Sequence, residues 1–440
     1  MQNSKRPTAL ALMLMLVLCG WLATSRADRA ATAKEVDNYQ ELQLFTDVLS
    51  IIRRSYVEEV DMKELVYGAV DGMLASLDPH SSFMPPDVYK ELKIDTSGEF
   101  GGLGIEITIR DGILTVVSPI EDTPADRVGL QAGDMIIKIE DRFTKDISIM
   151  EAVKLMRGRK GTKVKISIMR ESFSKPTEFE IVREIIKVKS VKARTLEDNF
   201  GYIRIAQFQE RTQDDLSKAL ADLKNQNKGD LDGLVLDLRN NPGGLLDQAV
   251  KVSDTFLEQG LIVYTEGREE GSQMRFSAHG PGTEPDYPIV ILINGGSASA
   301  SEIVAGALQD NGRAVILGTQ SFGKGSVQTI IPMNDDTGLR LTTARYFTPN
   351  GTSIQAKGIV PDILVKPMEI KEVDGFSAFR EKDLTNHINS PEGDSNATDQ
   401  EATELKFTLD AKTQKDYQLL RALDLLKGWQ ILKGLNGKAA

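Results

Sequence analysis

The run Ile289-Val290-Ile291-Leu292-Ile293, followed by Asn294-Gly295-Gly296-Ser297-Ala298-Ser299-Ala300-Ser301-Glu302, decides the fold of the domain that contains it. An unbroken apolar run of strand-forming residues is typical of a parallel strand that is buried on both faces. The two glycines then mark a turn, and the small residues after the turn begin a helix. The stretch therefore predicts a strand, a tight turn and a helix within an α/β core.

The same alternation of strand and helix patterns extends over residues 187–366, which we predict to be one α/β domain. The predicted strands are Phe200–Ile205, Gly233–Leu238, Pro288–Ile293 and Ala314–Leu317, and the predicted helices are Gln213–Asn225, Leu246–Glu258 and Ala300–Leu308. Active sites of such sheets gather at the carboxyl ends of the strands. The polar loops that follow these strands are therefore the candidates for a functional site.

The first candidate loop carries three alternating serines, Ser297, Ser299 and Ser301. A serine at the start of a helix exposes its hydroxyl, and the N–H groups of the first helical turn can stabilise negative charge that develops nearby. The same residues also fit a capping box, in which Ser299 and Glu302 satisfy each other's backbone N–H groups. The pattern leaves both interpretations open and does not select one of the three serines.

The second candidate loop is Gly318-Thr319-Gln320-Ser321-Phe322-Gly323-Lys324-Gly325-Ser326-Val327-Gln328. It nearly matches a phosphate-binding loop, but Gly325 stands where a serine or threonine should bind magnesium, and the residues that follow have a strand pattern. These two departures from the motif argue against a nucleotide site. A lysine between two glycines can approach other backbone closely, and a desolvated lysine beside a serine can take the hydroxyl proton. A solvated loop lysine is the alternative.

The third candidate loop, Asp237-Leu238-Arg239-Asn240-Asn241-Pro242-Gly243-Gly244, follows a predicted buried strand. Glycines after a proline allow the backbone to direct an N–H group into a site, where it can stabilise an oxyanion. A plain connection between a strand and a helix is the alternative.

Residues 36–92 follow a helical pattern that is broken at Pro79, Pro85 and Pro86. The pattern predicts two amphipathic helices and a short third helix near Val88–Leu92. A Gly-rich stretch from Gly98 then opens a compact domain of mostly β segments. Its predicted strands are Ile105–Ile109, Ile113–Val117, Met135–Ile139 and Val164–Met169, and its helix is Ser148–Met156.

The loop Gly102-Leu103-Gly104-Ile105 of this small domain has the composition of a carboxylate-binding loop. Its glycines let backbone N–H groups turn inward around a terminal carboxylate, and Ile105 begins a strand edge to which a peptide can add. A Gly-rich β-turn with no ligand is the alternative for the tetrapeptide on its own.

The chain begins with a basic pair, Lys5 and Arg6, and an apolar run that ends in small residues, the layout of a secretory signal peptide over residues 1–27. An uncleaved membrane anchor is the alternative. Cys19, the only cysteine, lies in this segment after Leu18, where a lipoprotein site would need a small residue, so we interpret it as part of the signal. At the other end, residues 390–404 have the composition of a linker and residues 417–432 that of an apolar-faced helix.

Composition excludes several classes of function. A formal net charge of −11 without clustered Lys and Arg argues against nucleic-acid binding. The three histidines, His80, His279 and His387, lack the context of a Ser-His-Asp triad, and no zinc-binding spacing occurs. No metal site or cofactor is expected.

Two sets of motifs resemble known families. Gly102-Leu103-Gly104-Ile105, the segment Gly129–Ile136 and the segment Gly158–Val164 together resemble a circularly permuted PDZ domain of bacterial proteases. With the three polar loops, and with the segments Gly201–Ile205 and Tyr346–Gly351, the chain resembles the carboxyl-terminal processing proteases, also called tail-specific proteases, from about Leu42 to Pro361.

That resemblance implies a multidomain α+β and α/β fold. A helical region at 36–95 packs on the core, a PDZ domain spans 98–185, a crotonase-like protease core spans 187–366, and a tail with a helix spans 367–440. It also implies the site residues, which are Ser299 as nucleophile, Lys324 as general base, Gln328 as the residue that orients the lysine, Ala300 with Gly243 or Gly244 as oxyanion hole, and Gly102, Leu103, Gly104 and Ile105 as the loop that binds the substrate carboxylate.

The function that the resemblance implies is that of an exported serine endopeptidase, with no cofactor, that cuts protein substrates near a free apolar C-terminus. It would act in the periplasm or cell envelope, with membrane attachment only through an uncleaved signal. The family also implies gating by the PDZ domain, a homodimer built on the helical ends and an activating adaptor. A tail-binding scaffold that no longer cuts, and an acyl-transfer enzyme on a related core, are the competing classes.

Overall fold

A computed structural model describes residues 40–145, 147–269, 271–369, 384–385, 387–388 and 409–436. The signal peptide expected at 1–27, Cys19 within it, and the linker expected at 390–404 lie outside the described residues. Within the described ranges, no helix is both long enough and apolar enough to cross a membrane.

The described residues up to Phe83 belong to a unit of their own and are mainly helical, as the sequence predicts. Helix α1 covers 40–55, and helix α2 covers Met62–Ala75. Asp61 caps α2 by accepting a hydrogen bond from the Lys63 N–H at 2.7 Å. Most apolar side chains of α1 are exposed, including Leu42 and Leu44.

The second unit begins at Met84 and contains the rest of the described chain. A short strand, β1 (Ser82–Met84), covers the point in the sequence where the first unit ends, and helix α3 (Pro86–Ser97) follows it along the chain. The helix expected at Val88–Leu92 is therefore longer than predicted at both ends. Its start uses a proline at the first position, where no N–H is needed, and its end is the left-handed Gly98.

The small β-rich domain predicted after Gly98 is present. In chain order its elements are β2 (Glu99–Gly102), β3 (Ile105–Arg110), β4 (Ile113–Pro119), α4 (Pro124–Arg127), β5 (Met135–Ile139), β6 (Arg142–Phe143), α5 (Ile149–Met156), β7 (Lys163–Met169), β8 (Thr177–Val182) and β9 (Glu184–Lys187). Strands β3, β4, β5, β7 and β8 form an antiparallel sheet. Strands β2 and β9 pair where the chain enters and leaves the domain.

The elements of residues 191–369 in chain order are β10 (Val191–Thr195), a 3₁₀ turn (Glu197–Asn199), β11 (Phe200–Ile205), α6 (Thr212–Asn227), β12 (Gly233–Asp237), α7 (Leu246–Asp254), β13 (Leu261–Gly267), β14 (Met274–Ser277), β15 (Ile289–Ile293), α8 (Ala300–Asp310), β16 (Val315–Gly318), β17 (Ser326–Pro332), β18 (Gly338–Phe347) and β19 (Ile363–Leu364).

The central sheet has the order β10-β11-β12-β15-β16-β19. All neighbouring pairs from β11 to β19 are parallel, and only β10 is antiparallel. Every residue of β12 and β15 is buried, as the unbroken apolar runs predict. Because the parallel strands end at the same edge, the loops after β12, β15 and β16 lie together.

A second, antiparallel sheet contains β13, β14, β17 and β18. The sequence patterns predict β17 but not the other three strands. Their burial is partial and irregular, so neither an apolar run nor a clean alternation identifies them.

The helix expected at 417–432 is present as α10 (Tyr417–Asn436), after a short α9 (Ala411–Gln414). Its buried side chains Leu419, Leu423 and Leu426 belong to the same core cluster as Val235 and Leu292 of the central sheet. The helix therefore buries its apolar face on the core of its own chain.

Candidate active site

Ser299 lies between β15 and α8 in a strained backbone conformation. Its φ of 53° and ψ of −112° are unusual for a residue with a side chain, and such a conformation costs on the order of 1–3 kcal/mol. Its N–H donates to Glu302 Oε2 at 2.7 Å, which is the glutamate half of the predicted capping box, while the Glu302 N–H donates to the Ser299 carbonyl oxygen at 2.9 Å. Ser299 is half-buried. Strain of this kind persists only where surrounding contacts hold the backbone in place.

The two neighbouring serines have structural hydrogen bonds. The Ser297 hydroxyl donates to the Leu238 carbonyl oxygen at 2.8 Å, and the Ser301 hydroxyl donates to the Asn241 carbonyl oxygen at 3.0 Å. Both residues are fully buried. Among the three serines that the sequence left open, Ser299 alone is within reach of solvent.

Glu302 connects the serine loop to the lysine loop. Its Oε2 accepts from the N–H groups of Ser299, at 2.7 Å, and Lys324, at 2.9 Å. Its Oε1 accepts from the Gly323 N–H and the Ser321 hydroxyl, both at 2.6 Å. The side chain is fully buried, and these donors satisfy it. The backbone nitrogens of Ser299 and Lys324 therefore lie within two hydrogen-bond lengths of each other.

The glycines on either side of Lys324 are close to other backbone, as their pattern predicts. A Cβ on Gly325 would lie 2.3 Å from the Gln355 nitrogen, and a Cβ on Gly323, at φ +91°, would lie 3.1 Å from the Gly358 nitrogen. Lys324 itself is half-buried and has an interaction partner. The strand expected after the loop is β17, so the context of a phosphate-binding loop is absent here.

Gln328 lies on β17, four residues after Lys324. Its Nε2 donates to Ser326 Oγ at 3.2 Å and to Thr342 Oγ1 at 3.0 Å. Both amide hydrogens therefore have acceptors, which leaves the carbonyl oxygen of the side chain to accept from another donor.

The third loop lies against Ser299. A Cβ added to Gly243 would be 2.8 Å from Ser299 Cβ and 3.0 Å from the Ala300 nitrogen. The Gly243 N–H donates to Asn241 Oδ1 at 2.9 Å, so this N–H group is not available to an oxyanion. The N–H groups of Gly244 and Ala300 have no acceptor among the described residues. Of the two glycines that were alternatives for an oxyanion donor, Gly244 is therefore the one with an available amide.

Tyr346, at the end of β18, was not identified as a site residue from the sequence. Its hydroxyl is hydrogen-bonded to the Ser299 side chain, and its N–H donates to the Gly325 carbonyl oxygen at 2.7 Å. Burial raises the pKa of the Tyr346 hydroxyl to about 12, although the hydrogen bond with Ser299 works in the opposite direction. Tyr346 thus contacts both the serine and the lysine loop, and only the second sheet brings it there.

A second candidate site lies in the β-rich domain. The carbonyl oxygens of Leu103 and Gly104 accept from Ala125 and Ile120, and the N–H groups of Leu103 and Gly104 have no acceptor among the described residues. A side chain on Gly104, at φ +79°, would collide with Thr123. A cavity of about 90 Å³ adjoins this loop and is lined mainly by apolar side chains, including Phe100, Leu103, Ile105, Ile107 and Met156.

Comparisons with known proteins match this architecture. Residues 199–365 match the family model of peptidase family S41, residues 101–181 match the PDZ domain, and residues 15–88 match the N-terminal domain of the activating protease CtpB.

Relatives of known class cover most of the chain. The carboxy-terminal-processing protease of Bartonella bacilliformis is 47% identical over 404 residues, which are 91% of this chain and 92% of that protein. The carboxyl-terminal-processing protease of a Synechocystis species is 39% identical over 72% of this chain and 75% of that protein. Among solved structures, a photosystem II D1 C-terminal processing protease is 30% identical over 74% of this chain and 92% of that one, with a TM-score of 0.43.

Fold, loops and matches together define the class as a serine peptidase that carries a PDZ domain ahead of its protease domain. The chain belongs to the carboxy-terminal processing proteases of peptidase family S41.

Proposed function

We propose that this peptidase cleaves protein substrates near their C-terminus through an acyl-enzyme, with Ser299 as nucleophile and Lys324 as general base. The observation that carries the proposal is the shared carboxylate of Glu302, whose Oε2 accepts from the backbone N–H groups of both residues. A buried carboxylate held by four donors fixes the two loops relative to each other, which is the positioning that a dyad requires.

In the proposed reaction, the neutral amine of Lys324 takes the proton from Ser299 Oγ while the oxygen attacks the carbonyl carbon of the peptide bond. The N–H groups of Ala300 and Gly244 stabilise the resulting oxyanion, a contribution worth about 3–4 kcal/mol per donor in serine peptidases. The C–N bond then breaks, and the lysine ammonium gives its proton to the leaving amine. A water molecule, deprotonated by Lys324, hydrolyses the ester and restores the serine.

Gln328 orients the lysine in this proposal. Its two amide hydrogens are held by Ser326 and Thr342. The remaining carbonyl oxygen accepts a hydrogen bond from the lysine side chain, which has only donors when charged and keeps two N–H bonds when neutral. Tyr346 holds the serine of the dyad, because its hydroxyl is hydrogen-bonded to the Ser299 side chain.

The PDZ domain selects the substrate in this proposal. A free carboxylate at the substrate C-terminus accepts from the N–H groups of Leu103 and Gly104, and the last apolar side chain enters the adjoining cavity. The tail adds to the edge of β3 as an extra strand. The proposal also includes export through the N-terminal signal, action in the periplasm or envelope, and a homodimer or an activating adaptor.

Two substrates test recognition and cleavage together. An unfolded model protein that ends in apolar residues is prepared with a free C-terminus and with an amidated C-terminus. We expect the free form to be cut with a higher kcat/KM, and Ser299→Ala to cut neither form. Gly104→Ala, which places a methyl group against Thr123, should remove the preference between the two forms. Equal cleavage of both forms by the parent protein would contradict recognition of a terminal carboxylate.

A further inference from the structure

Arg239 forms a nearly buried ionic cluster at the carboxyl end of β12. Its guanidinium donates to Asp237 Oδ1 at 3.0 Å and to Asp237 Oδ2 at 2.7 Å. It also donates to Asp416 Oδ1 at 2.8 Å, to Asp416 Oδ2 at 2.7 Å and to Gln418 Oε1 at 3.0 Å. Asp237 is fully buried, and the Arg239 side chain is 12% exposed. The cluster is thus a forked, charge-assisted bridge between two carboxylates.

The two carboxylates of this cluster belong to distant parts of the chain. Asp237 ends a central strand, whereas Asp416 immediately precedes α10, and its Oδ1 also accepts from the Leu419 N–H at 3.1 Å as a helix cap. Gln418 donates onward to the Val365 carbonyl oxygen at 2.7 Å. Arg239 therefore joins the start of the C-terminal helix to the end of β12.

The loop that begins at Arg239 is bonded directly to the segment around the nucleophile. The Asn241 carbonyl oxygen accepts from the Ala298 N–H, at 3.0 Å, and from the Ser301 hydroxyl. Asn240 and Asn294 exchange two hydrogen bonds of 2.9 Å. Gly243 of the same loop, which covers residues 239–244, packs against Ser299. A continuous set of contacts thus runs from α10 through Arg239 to the catalytic loop.

Docking of α10 does not need this cluster. The helix already buries Leu419, Leu423 and Leu426 on the central sheet, and a buried ion pair adds little net stability compared with apolar packing. Apolar packing has no directional preference, whereas the hydrogen bonds of the cluster fix the direction of the Arg239 side chain and of the backbone that follows it.

We propose that the C-terminal helix is a working part of the peptidase, in which Asp416 is a positioning residue that holds Arg239 and, through it, the 239–244 loop beside Ser299. This inference rests on the proposed function, because it assigns the Gly244 amide of that loop to the oxyanion.

Asp416→Asn in the full chain is the test, because asparagine keeps the helix cap but loses the charge that binds Arg239. Asp424→Asn is the matched control, since Asp424 lies on the same helix and pairs only with the exposed Arg421 among the described residues. Asp416→Glu restores the charge. We measure kcat and KM on the free-tailed substrate, together with hydrogen exchange of the peptides that cover residues 238–244 and 417–436.

For Asp416→Asn, kcat should fall about ten- to hundredfold at unchanged KM, since small displacements of a positioned group have effects of this size. Amides at 238–244 should exchange faster while those of α10 stay protected. Asp416→Glu should recover part of kcat, and Asp424→Asn should match the parent.

A parental kcat in Asp416→Asn, or faster hydrogen exchange in α10 alone, would overturn the inference. The cluster would then only hold α10 on the core. If the parent protein cuts no substrate, the proposed function fails instead. The exchange measurement still tests the link between Asp416 and the loop in that case.

Discussion

At the scale of single residues, the proposed active site combines one strained serine with side chains that hold it. The backbone of Ser299 has a positive φ, a conformation that glycine adopts more easily than serine. Ser299 lies immediately before the buried part of α8. The strain persists because Glu302 holds its N–H and Tyr346 holds its side chain.

The strain at Ser299 should be visible in the stability of two inactive variants. We expect Ser299→Gly to have a free energy of unfolding about 1 kcal/mol higher than Ser299→Ala, because glycine adopts a positive φ without a Cβ clash. Ser217, exposed on α6, provides the control, and there the glycine variant should be about 1 kcal/mol less stable than the alanine variant. Urea unfolding of the four variants measures both differences, and the same sign at both positions would argue against strain at Ser299.

Removal of the Tyr346 hydroxyl should slow catalysis without weakening substrate binding. For Tyr346→Phe we expect kcat to fall about two- to tenfold at constant KM, the equivalent of one hydrogen bond. Because the pKa of Tyr346 is about 12, its hydroxyl stays protonated up to pH 10, and the variant should keep the parental pH profile below that value. Tyr264→Phe, whose ring stacks on Phe347 of the same sheet, should leave kcat unchanged. A shift in the pH profile of kcat in Tyr346→Phe would mean that the Tyr346 hydroxyl titrates during catalysis.

At the scale of elements, the site depends on loops from adjacent parallel strands that share one acceptor. Glu302 lies in the first turn of α8, and its donors come from the start of that helix and from the loop after β16. The local part of this arrangement was predicted from the sequence as a capping box, since it depends on a spacing of three residues. The distant part depends on how β15 and β16 pair, so no local pattern contains it.

Glu302→Gln should therefore damage both stability and activity. The NH2 group of glutamine donates hydrogen bonds and cannot accept them, so the donors that face it in the buried site lose their acceptor, at about 1–3 kcal/mol for each lost acceptor. We expect the free energy of unfolding to fall by about 3 kcal/mol and cleavage to be lost. Glu258→Gln at an exposed position is the control and should resemble the parent. Full activity in Glu302→Gln would show that the shared carboxylate is not what positions the dyad.

The elements differ in how far the sequence predicts them. The buried strands β12 and β15 and the serine, lysine and glycine loops were predicted because apolar runs and glycines are local signals. Strands β13, β14 and β18 were not, because their side chains alternate irregularly between exposed and buried positions. Since β18 carries Tyr346, the contact of this residue with Ser299 could not be predicted either.

At the scale of the whole molecule, residues far apart in sequence complete the core. Helix α10 closes one face of the central sheet with apolar side chains, and its first turn is tied to β12 by Arg239. Burial would raise the pKa of the Asp416 carboxyl, but the hydrogen bonds and the charge of Arg239 outweigh it and lower the pKa below the ordinary value of 3.8.

This lowered pKa makes part of the stability dependent on pH. The carboxylate of Asp416 stabilises the folded chain fully above its unfolded pKa, and the contribution is lost as the pH falls through the lower folded value. We therefore expect the parent to be more stable than Asp416→Asn at pH 7, with a difference that shrinks below about pH 4. Urea unfolding of both proteins between pH 3 and pH 7 measures the difference. A difference that stays constant over this range would mean that the Arg239 pair does not contribute through charge.

The most direct test of the Ser299–Lys324 dyad is the rate at which a fluorophosphonate probe labels Ser299, with the labelled residue identified by mass spectrometry. In the parent, we predict that the probe labels Ser299 alone. In Lys324→Ala the labelling rate should be about 10²–10⁴-fold lower, as expected for loss of a general base. The control, Lys357→Ala, changes an exposed lysine of a neighbouring loop and should be labelled at the parental rate. Labelling of another serine, or a parental rate in folded Lys324→Ala, would contradict the Ser299–Lys324 dyad.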